Sequence, residues 1–538
     1  MKNGTWWMAP VSVPVIVWAI IGFVGSQSVG DVTRVSAQES TVATEISPVT
    51  VAREPLVLPT YEIGPADRNP IFYTGRVYQG ARGEIYPYPL YDQLTDQRVD
   101  RTYESLVLEN EFCRVCVLPQ IGGRILSATD KSNGYEFFYR QHVVKPALIG
   151  MLGAWMSGGV EWNIPHHHRP SSFMAIDRKI SMNEDGSGSI LVGETELRHR
   201  MKWTVRMTMF PERSYLEAKV RIMNRSPWTQ SILSWANVSV HCNENYQVIF
   251  PPSTRYGTGH SKTEFVHWPV DKGVDLSWWK NHTHTSRSVF AWNFTDDFLA
   301  GYDHGKHAGT VHVGNHHEIG GKKFFLWGNH ENAQMWDQIL TDEDGPYLEL
   351  MVGAYSDNQP DYSWIAPGEV REFRHYWYPV SGIGGVKAAN IEGALNVERT
   401  EPGTVAIGFC PTRKLNGAEI RYTIVGTDGK PSDSVSVPFD AIPGRAFTTD
   451  IPVPETIEDQ NVRVRILDAK GVELIAYTPV SSQIVEPGPE PEPVRPTPVP
   501  EKCETNEDLY LAGLRLEQFH NAQRNPLDYY QEALRRDP

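Results

Sequence analysis

The chain has 538 residues, 40% of them hydrophobic, which is ample for cores and too long for a single domain; the length suggests three or four. A net charge of −15 with no basic run anywhere argues against nucleic acid and anionic membrane as partners. Five cysteines, an odd and small number, exclude a disulfide scaffold.

Residues 1–37 read as a signal peptide. Lys2 precedes an apolar run from Val11 to Val24, and Val35-Ser36-Ala37 fits a small-residue cleavage site. As a helix the run would span about 21 Å, short of the roughly 30 Å a bilayer core demands. The bulk of the chain is therefore expected to be exported (periplasmic, cell-surface or secreted), with an uncleaved N-terminal anchor as the alternative and no other membrane contact. Residues 38–60 carry no pattern and read as a tether.

From Tyr61 to Val99 the text is rich in Tyr, Pro and Gly and reads as irregular β structure. Leu106 to Pro119 is strand-like, and alternation sends Cys113 and Cys116 to opposite faces, against a redox or zinc pair. Gly122-Gly123 and Asn133-Gly134 supply turns. In Val160–Ile164, Glu161 and Asn163 fall opposite Val160, Trp162 and Ile164; His166, His167, His168 and Arg169 follow Pro165 and so lie on a loop. Several strands run in series from Ser189 to Arg225. Gln230 to His241 sets Trp235, Asn237, Ser239 and His241 against Ala236, Val238 and Val240. Arg255, His260 and Lys262 follow on a loop. Phe324 to Trp327 reads as a strand and Gln334 to Leu340 as a turn or loop. In GPYLELMVGAYSDNQPDYSWIAPGEVREFRHYWYP, Gly345 to Pro379, Tyr347 and Glu349 oppose Leu348 and Leu350, and Pro367-Gly368 turns into a last strand. Serial strands without long helices indicate an antiparallel β-sandwich.

Beyond it, Gly-marked turns punctuate strands at 386–480, an immunoglobulin-like sandwich by spacing. Seven prolines between 486 and 500 mark a linker over 481–504. Residues 505–538 hold two amphipathic pieces, Asn506–His520 and Pro526–Arg536.

The carboxylate strand YLEL, its Asn-Pro loop and the PGE opening of the last strand resemble galactose-mutarotase-like (aldose 1-epimerase-like) domains, as does the GGRI…NGYEFFY stretch. DGPYLELMVGAYSDNQPDYSWIAPGE more specifically resembles an uncharacterised family of bacterial secreted proteins with C-terminal tetratricopeptide repeats, and residues 505–538 resemble one such repeat. The resemblance implies a β-supersandwich at 61–385, a catalytic base at Glu349, and a tail able to dock a protein partner. Asn237 matches an Asn of the family's "T-N-H" strand, but Val238 stands where the catalytic histidine belongs, which counts against true epimerisation.

Acids, amides and aromatic rings this dense on strands suit a sugar: rings stack on pyranose faces, and carboxylates and amides bond hydroxyls. The expected ligand is an oligo- or polysaccharide. Glycosidic cleavage needs two carboxylates; Glu161 and Glu349 are the first pair, with Asp342, Asp344, Asp357 and Asp361 in reserve. Epimerisation would need a histidine acid, His241 or His260, with Glu349. Trp162, Asn163, His166, His167, His168, Arg169, Trp235, Asn237, Arg255, Tyr347, Asp357, Asn358 and Trp364 are candidate sugar contacts. The histidine runs lack metal-ligand spacing and TDEDG at 341–345 lacks that of an EF-hand, so neither a metal nor another cofactor is expected. A glycan-processing enzyme, hydrolase or lyase, and a non-catalytic glycan binder both remain open.

Overall fold

The computed structural model describes residues 48–538 except 69–71, 77–81, 151, 261, 357–361, 427–428, 481–489, 494 and 519–523. The signal-peptide reading and Asp357, Asn358 and Asp361 fall outside the described residues.

The alternating segments form two large antiparallel sheets. The middle of a twelve-stranded sheet runs Arg124–Asp130, Val160–Asn163, Ser234–His241, Tyr347–Ala354, Gly321–Leu326 and Arg287–Trp292. An eight-stranded sheet runs Tyr246–Ile249, Phe298–Asp303, Ala308–Val313, Val370–Ser381, Leu216–Asn224, Met201–Met209, Gly188–Thr195 and Asp177–Met182. One core lies between them: Val160, Val238, Phe324 and Leu350 of the first sheet share it with Ile190, Val205 and Val220 of the second. Each such side chain, fully buried, contributes about 1.5–3 kcal/mol. Because strands alternate, filling this core sends every second residue of the first sheet to its outer face. The polar partners of those core residues gather there.

Val311, Val313, Tyr378 and Val380 face outward on one half of the eight-stranded sheet, where Ile383, Val386, Ala394 and Cys410 of the next domain cover them. That domain is a sandwich of two four-stranded sheets. The C-terminal segment is a helical hairpin, Asn506–Gln518 and Pro526–Arg536, closed over Leu509, Leu516, Tyr529 and Cys503. The architecture is the mainly β one expected, with a second sandwich and a short helical pair.

Three boundaries differ. Residues 50–60, expected within a tether, belong to a 14-residue strand, Thr50–Ile63, paired along Leu94–Glu109. It forms the edge of its sheet and is only partly buried, so its sequence carries no clean alternation. Gln334 to Leu340, expected as a turn or loop, belongs to an α-helix, Glu331–Leu340, that buries only Ala333 and Leu340. Two inward side chains are too few to write a helical period. Part of the expected linker packs on the hairpin: the Tyr529 hydroxyl donates to the Pro498 carbonyl at 2.6 Å, and Arg536 to that of Cys503 at 2.8 Å.

Candidate functional site

Four neighbouring strands lay out the site by register alone. Glu161 lies opposite Asn237, Asn237 opposite Met351, and Met351 opposite Lys323. Ile125 pairs with Val160, which brings Arg124 beside Glu161 and extends the row to five strands. One step along, Ser239, Glu349 and Phe325 form the next row on the same face, and His241 and Tyr347 the one after. Two strand spacings and two residues separate Glu161 from Glu349, a Cα distance of about 12 Å.

Two glycines make room for the floor. A Cβ on Gly353 would lie 2.3 Å from the Trp235 ring, and one on Gly321 would lie 2.5 Å from it. The indole therefore lies across the bare backbone of two adjacent strands, with Phe290, Met351 and Tyr362 around it. A second aromatic group, Tyr139, Trp155 and Tyr347 with Trp327 and Trp336, stands nearer the Tyr347 end.

Glu161 is 4% exposed. Its carboxylate has His168 Nδ1 at 3.3–3.4 Å from both oxygens. Burial pushes its pKa up, but His168, then Arg124 and the Trp155 indole, outweigh that and hold it at about 2. Arg124 is itself buried and donates to the Met156 and Ser157 carbonyls at 2.5 and 2.9 Å. His168 has left-handed backbone at φ 44°, and its N–H donates to Asn163 Oδ1 at 2.6 Å. Asn163 thus fixes the histidine that holds Glu161 ionised.

Glu349 is 7% exposed and shifts the other way. Burial raises its pKa, Glu161 adds to the rise, and Lys323 and His168 oppose it only in part. Burial lowers the Lys323 ammonium in turn, against the pull of Glu349. Lys323 sits 4.9 Å from the Phe290 ring centre and 3.2 Å from His260 Nε2. Among the described residues, both amide atoms of Asn237, Asn163 Nδ2 and Trp235 Nε1 are buried without a hydrogen-bond partner. Unsatisfied buried polar atoms are rare and costly, and here four of them converge on one face. The arrangement offers an ionised carboxylate, a carboxyl poised to stay protonated, and amides for hydroxyl recognition.

The family model described as a domain of unknown function (DUF5107) matches residues 81–380. The chain belongs to that family. A model described as YphG-like protein, second domain, matches residues 388–477, the second sandwich. Among solved structures, a TPR-domain-containing protein from Parabacteroides distasonis is 22% identical, with a TM-score of 0.56, over 64% of this chain and 56% of that one. The chain thus spans little more than half of that protein's length. A galactose mutarotase-like protein from Clostridium acetobutylicum is 10% identical over 52% of this chain and 96% of that one, with a TM-score of 0.38. A putative mutarotase from Salmonella typhimurium is 11% identical over 55% and 94%, also at 0.38.

Of the residues singled out from sequence, the shared face holds Glu161, Asn163, Trp235, Asn237, His241, Tyr347 and Glu349. Trp235 is 1% exposed, so it acts as floor rather than as an open stacking platform. Tyr347 is also buried, and its hydroxyl accepts from Trp327 Nε1 at 3.3 Å. His241 stacks 4.3 Å from Tyr139 and lies 3.5 Å from Glu136. The three histidines diverge: His166 meets Ser231 Oγ at 3.0 Å, His167 is buried against the His168 ring, and His168 meets Glu161. Trp364 pairs with Ser231 and so stands beside His166 at the rim.

Three expected contacts lie elsewhere. Trp162 faces the core between the sheets, its indole donating to the Gly123 carbonyl at 3.2 Å; its place in the alternation opposite Glu161 already implied this. Arg169 is 1% exposed, donates to the Trp162 carbonyl and to Glu194, and lies over Trp203. It ties the histidine loop to the second sheet. Arg255 donates to the Pro252 and Thr254 carbonyls of its own turn. Of the reserve acids, Asp342 pairs with Lys145 and Arg98, and Asp344 with His142; both are committed to loop structure.

Arg124 and Lys323 were missed from sequence. For Lys323 a signal existed. In Gly321–Leu326, the two adjacent lysines must face opposite sides of any strand, so in a doubly covered sheet both end up buried. Lys322 does so in the core, and Lys323 on the site face.

Proposed function

We propose that this chain is an exported protein whose site face binds a glycan and cleaves a glycosidic bond, with Glu349 as proton donor and Glu161 as the ionised partner. One observation carries the reading: two carboxyl groups on one face have environments that drive their pKa values in opposite directions, the pattern that assigns acid and base roles. Glu349 would protonate the leaving oxygen as the bond to the anomeric carbon breaks. Glu161, kept anionic by His168 and Arg124, would stabilise the positive charge developing at that carbon and assist addition of water. The water's hydroxyl ends on the anomeric carbon, and its proton restores the acid. Asn237 and Asn163 would bond ring hydroxyls.

Val238, at the position where the family resemblance implies a histidine, is buried in the core, which leaves epimerisation without that acid. The helical hairpin would dock a protein partner. The test is incubation with a panel of neutral and acidic oligosaccharides, read as new reducing ends. Release that vanishes in both Glu161→Gln and Glu349→Gln supports the assignment. Binding of a glycan without release from any member of the panel would make the protein a lectin-like binder instead.

A further inference from the structure

The half of the eight-stranded sheet that the second sandwich leaves uncovered carries an unusual row. Lys179 lies opposite Leu191, Leu191 opposite Arg206, Arg206 opposite Lys219, and Lys219 opposite Arg374. Five adjacent strands thus place four cations in one line, three of them directly cross-strand to one another. Lys202 and Arg221 flank the line on the same face. Like charges set directly opposite destabilise a sheet, and the acids present relieve this only in part. Glu372 pairs with Lys219 at 3.0 Å and Arg221 at 3.6 Å, and Glu217 with Arg374 at 3.8 Å. Among the described residues, Lys202 and Arg206 make no ion pair, and both are exposed. In a chain of net charge −15, this is a concentrated patch of opposite sign.

The surface is also concave there. A groove of about 510 Å³ is lined by Leu191, Lys202, Arg206, Lys219 and Met223 among others. A second hollow of about 350 Å³ adjoins it through Lys219 and Glu372 and reaches Arg374, Tyr376 and Glu318, so that its two cations are matched by two acids and the excess of positive charge lies in the first groove. Both lie along the row of cations and cross the strands.

We propose that this groove is a second binding surface, on the side of the sandwich away from the Glu161–Glu349 face, for a linear polysaccharide bearing one carboxylate per sugar ring. The choice of a glycan rests on the function proposed for that other face; the charge and the groove do not. Neighbouring strands are about 4.8 Å apart, so Arg206, Lys219 and Arg374 repeat at about one sugar ring's length, with Lys179 two strand spacings beyond Arg206. Duplex nucleic acid carries a charge about every 1.7 Å and would meet strong repulsion from the rest of this acidic protein. The surface would hold a long substrate chain while its other segments reach the Glu161–Glu349 face.

The experiment uses the full chain carrying Glu349→Gln, so that cleavage does not confuse binding. Affinity for polygalacturonate, for a neutral dextran of similar length and for single-stranded DNA is measured at 50 and 200 mM salt. The groove variant adds Lys202→Glu and Arg206→Glu; the second places an acid opposite Lys219 and so should not impair folding. The expected result is polygalacturonate binding that weakens with salt, falls at least about tenfold in the groove variant, and is absent for dextran. No polygalacturonate binding at 50 mM salt, or binding unchanged by the two substitutions, overturns the proposal. DNA binding as tight as that of polygalacturonate, or a dimer that the substitutions dissolve, overturns the choice of partner. Failure of the cleavage reading shows separately, as absence of new reducing ends from the wild-type chain.

Discussion

Glu161 can be tested without a substrate, through its effect on acid stability. Its carboxyl is held at about 2 in the folded chain, against an ordinary 4.5. A depressed carboxyl contributes stability that is present above the unfolded value and is lost as pH falls toward the folded one. A depression of that size corresponds to about 3 kcal/mol at full expression. Between pH 6 and pH 3.5 the linkage relation removes about 1 kcal/mol of this. Glu161→Gln deletes the titration and keeps the shape, so it should remove that part of the acid sensitivity. The assay is urea unfolding at both pH values, followed by tryptophan fluorescence, for wild type and variant. The gap between them should close by about 1 kcal/mol on going to pH 3.5. At pH 6 the variant should be the less stable one, because His168 and Arg124 lose their counter-charge. A gap that stays constant with pH would show that Glu161 is not held ionised by its neighbours, and the acid–base assignment would fall with it.

Other outcomes follow from the same geometry. Glu349→Gln should lower turnover of any cleaved glycan at least about a hundredfold while the thermal midpoint at pH 8 stays level or rises by a few degrees. A group with a raised pKa loses stability as pH climbs from its unfolded toward its folded value, and the amide avoids that loss; a variant that fails to fold would make Glu349 structural. Lys323→Met removes a cation about 7–8 Å from Glu349, a diagonal neighbour on the adjacent strand. At an effective dielectric of about 20 a full charge there is worth roughly 2 kcal/mol, and burial leaves Lys323 less than fully charged at alkaline pH, so the alkaline limb of the rate profile should move up by at most about 1–2 pH units. An unmoved or lowered limb would count against Glu349 as the acid. Gly353→Ala should destabilise by about 1–3 kcal/mol through its contact with the Trp235 ring, measured by urea midpoint, and the paired Gly353→Ala/Trp235→Leu change should recover most of it.

The legible parts of this fold are those in which one strand's own alternation carries the message. Glu161, Asn237 and Glu349 each stood opposite an aliphatic run, so their common orientation could be read segment by segment. What could not be read is which strands are neighbours. The strand at 160–163 pairs with 234–241, and that with 347–354, across sequence gaps that hold seven of the eight strands of the second sheet; no local pattern encodes such pairing. The same limit hides Arg124, a single residue after a double-glycine turn, whose meaning comes only from lying beside Glu161.

Charge shows the point most sharply. The chain has no basic run, which speaks against a polyanion partner as long as charge is counted along the sequence. Folding changes the count. Arg206 and Lys219 alternate with apolar residues on their own strands, and all four of Lys179, Arg206, Lys219 and Arg374 read singly as solvated side chains. Register alone sets them in a line across the sheet. A one-residue slip in any one strand would send its cation into the core and a hydrophobic residue onto the groove. The apolar core therefore enforces the cationic row, and the packing that stabilises the sandwich also fixes where its charges meet a partner. Substituting core residues such as Val205 or Val220 should for that reason weaken polygalacturonate binding only where it loosens the fold, whereas Arg206→Glu should weaken it with the fold intact. Equal loss of binding and stability in both classes would mean that the row acts through the sheet's stability and not through its charge.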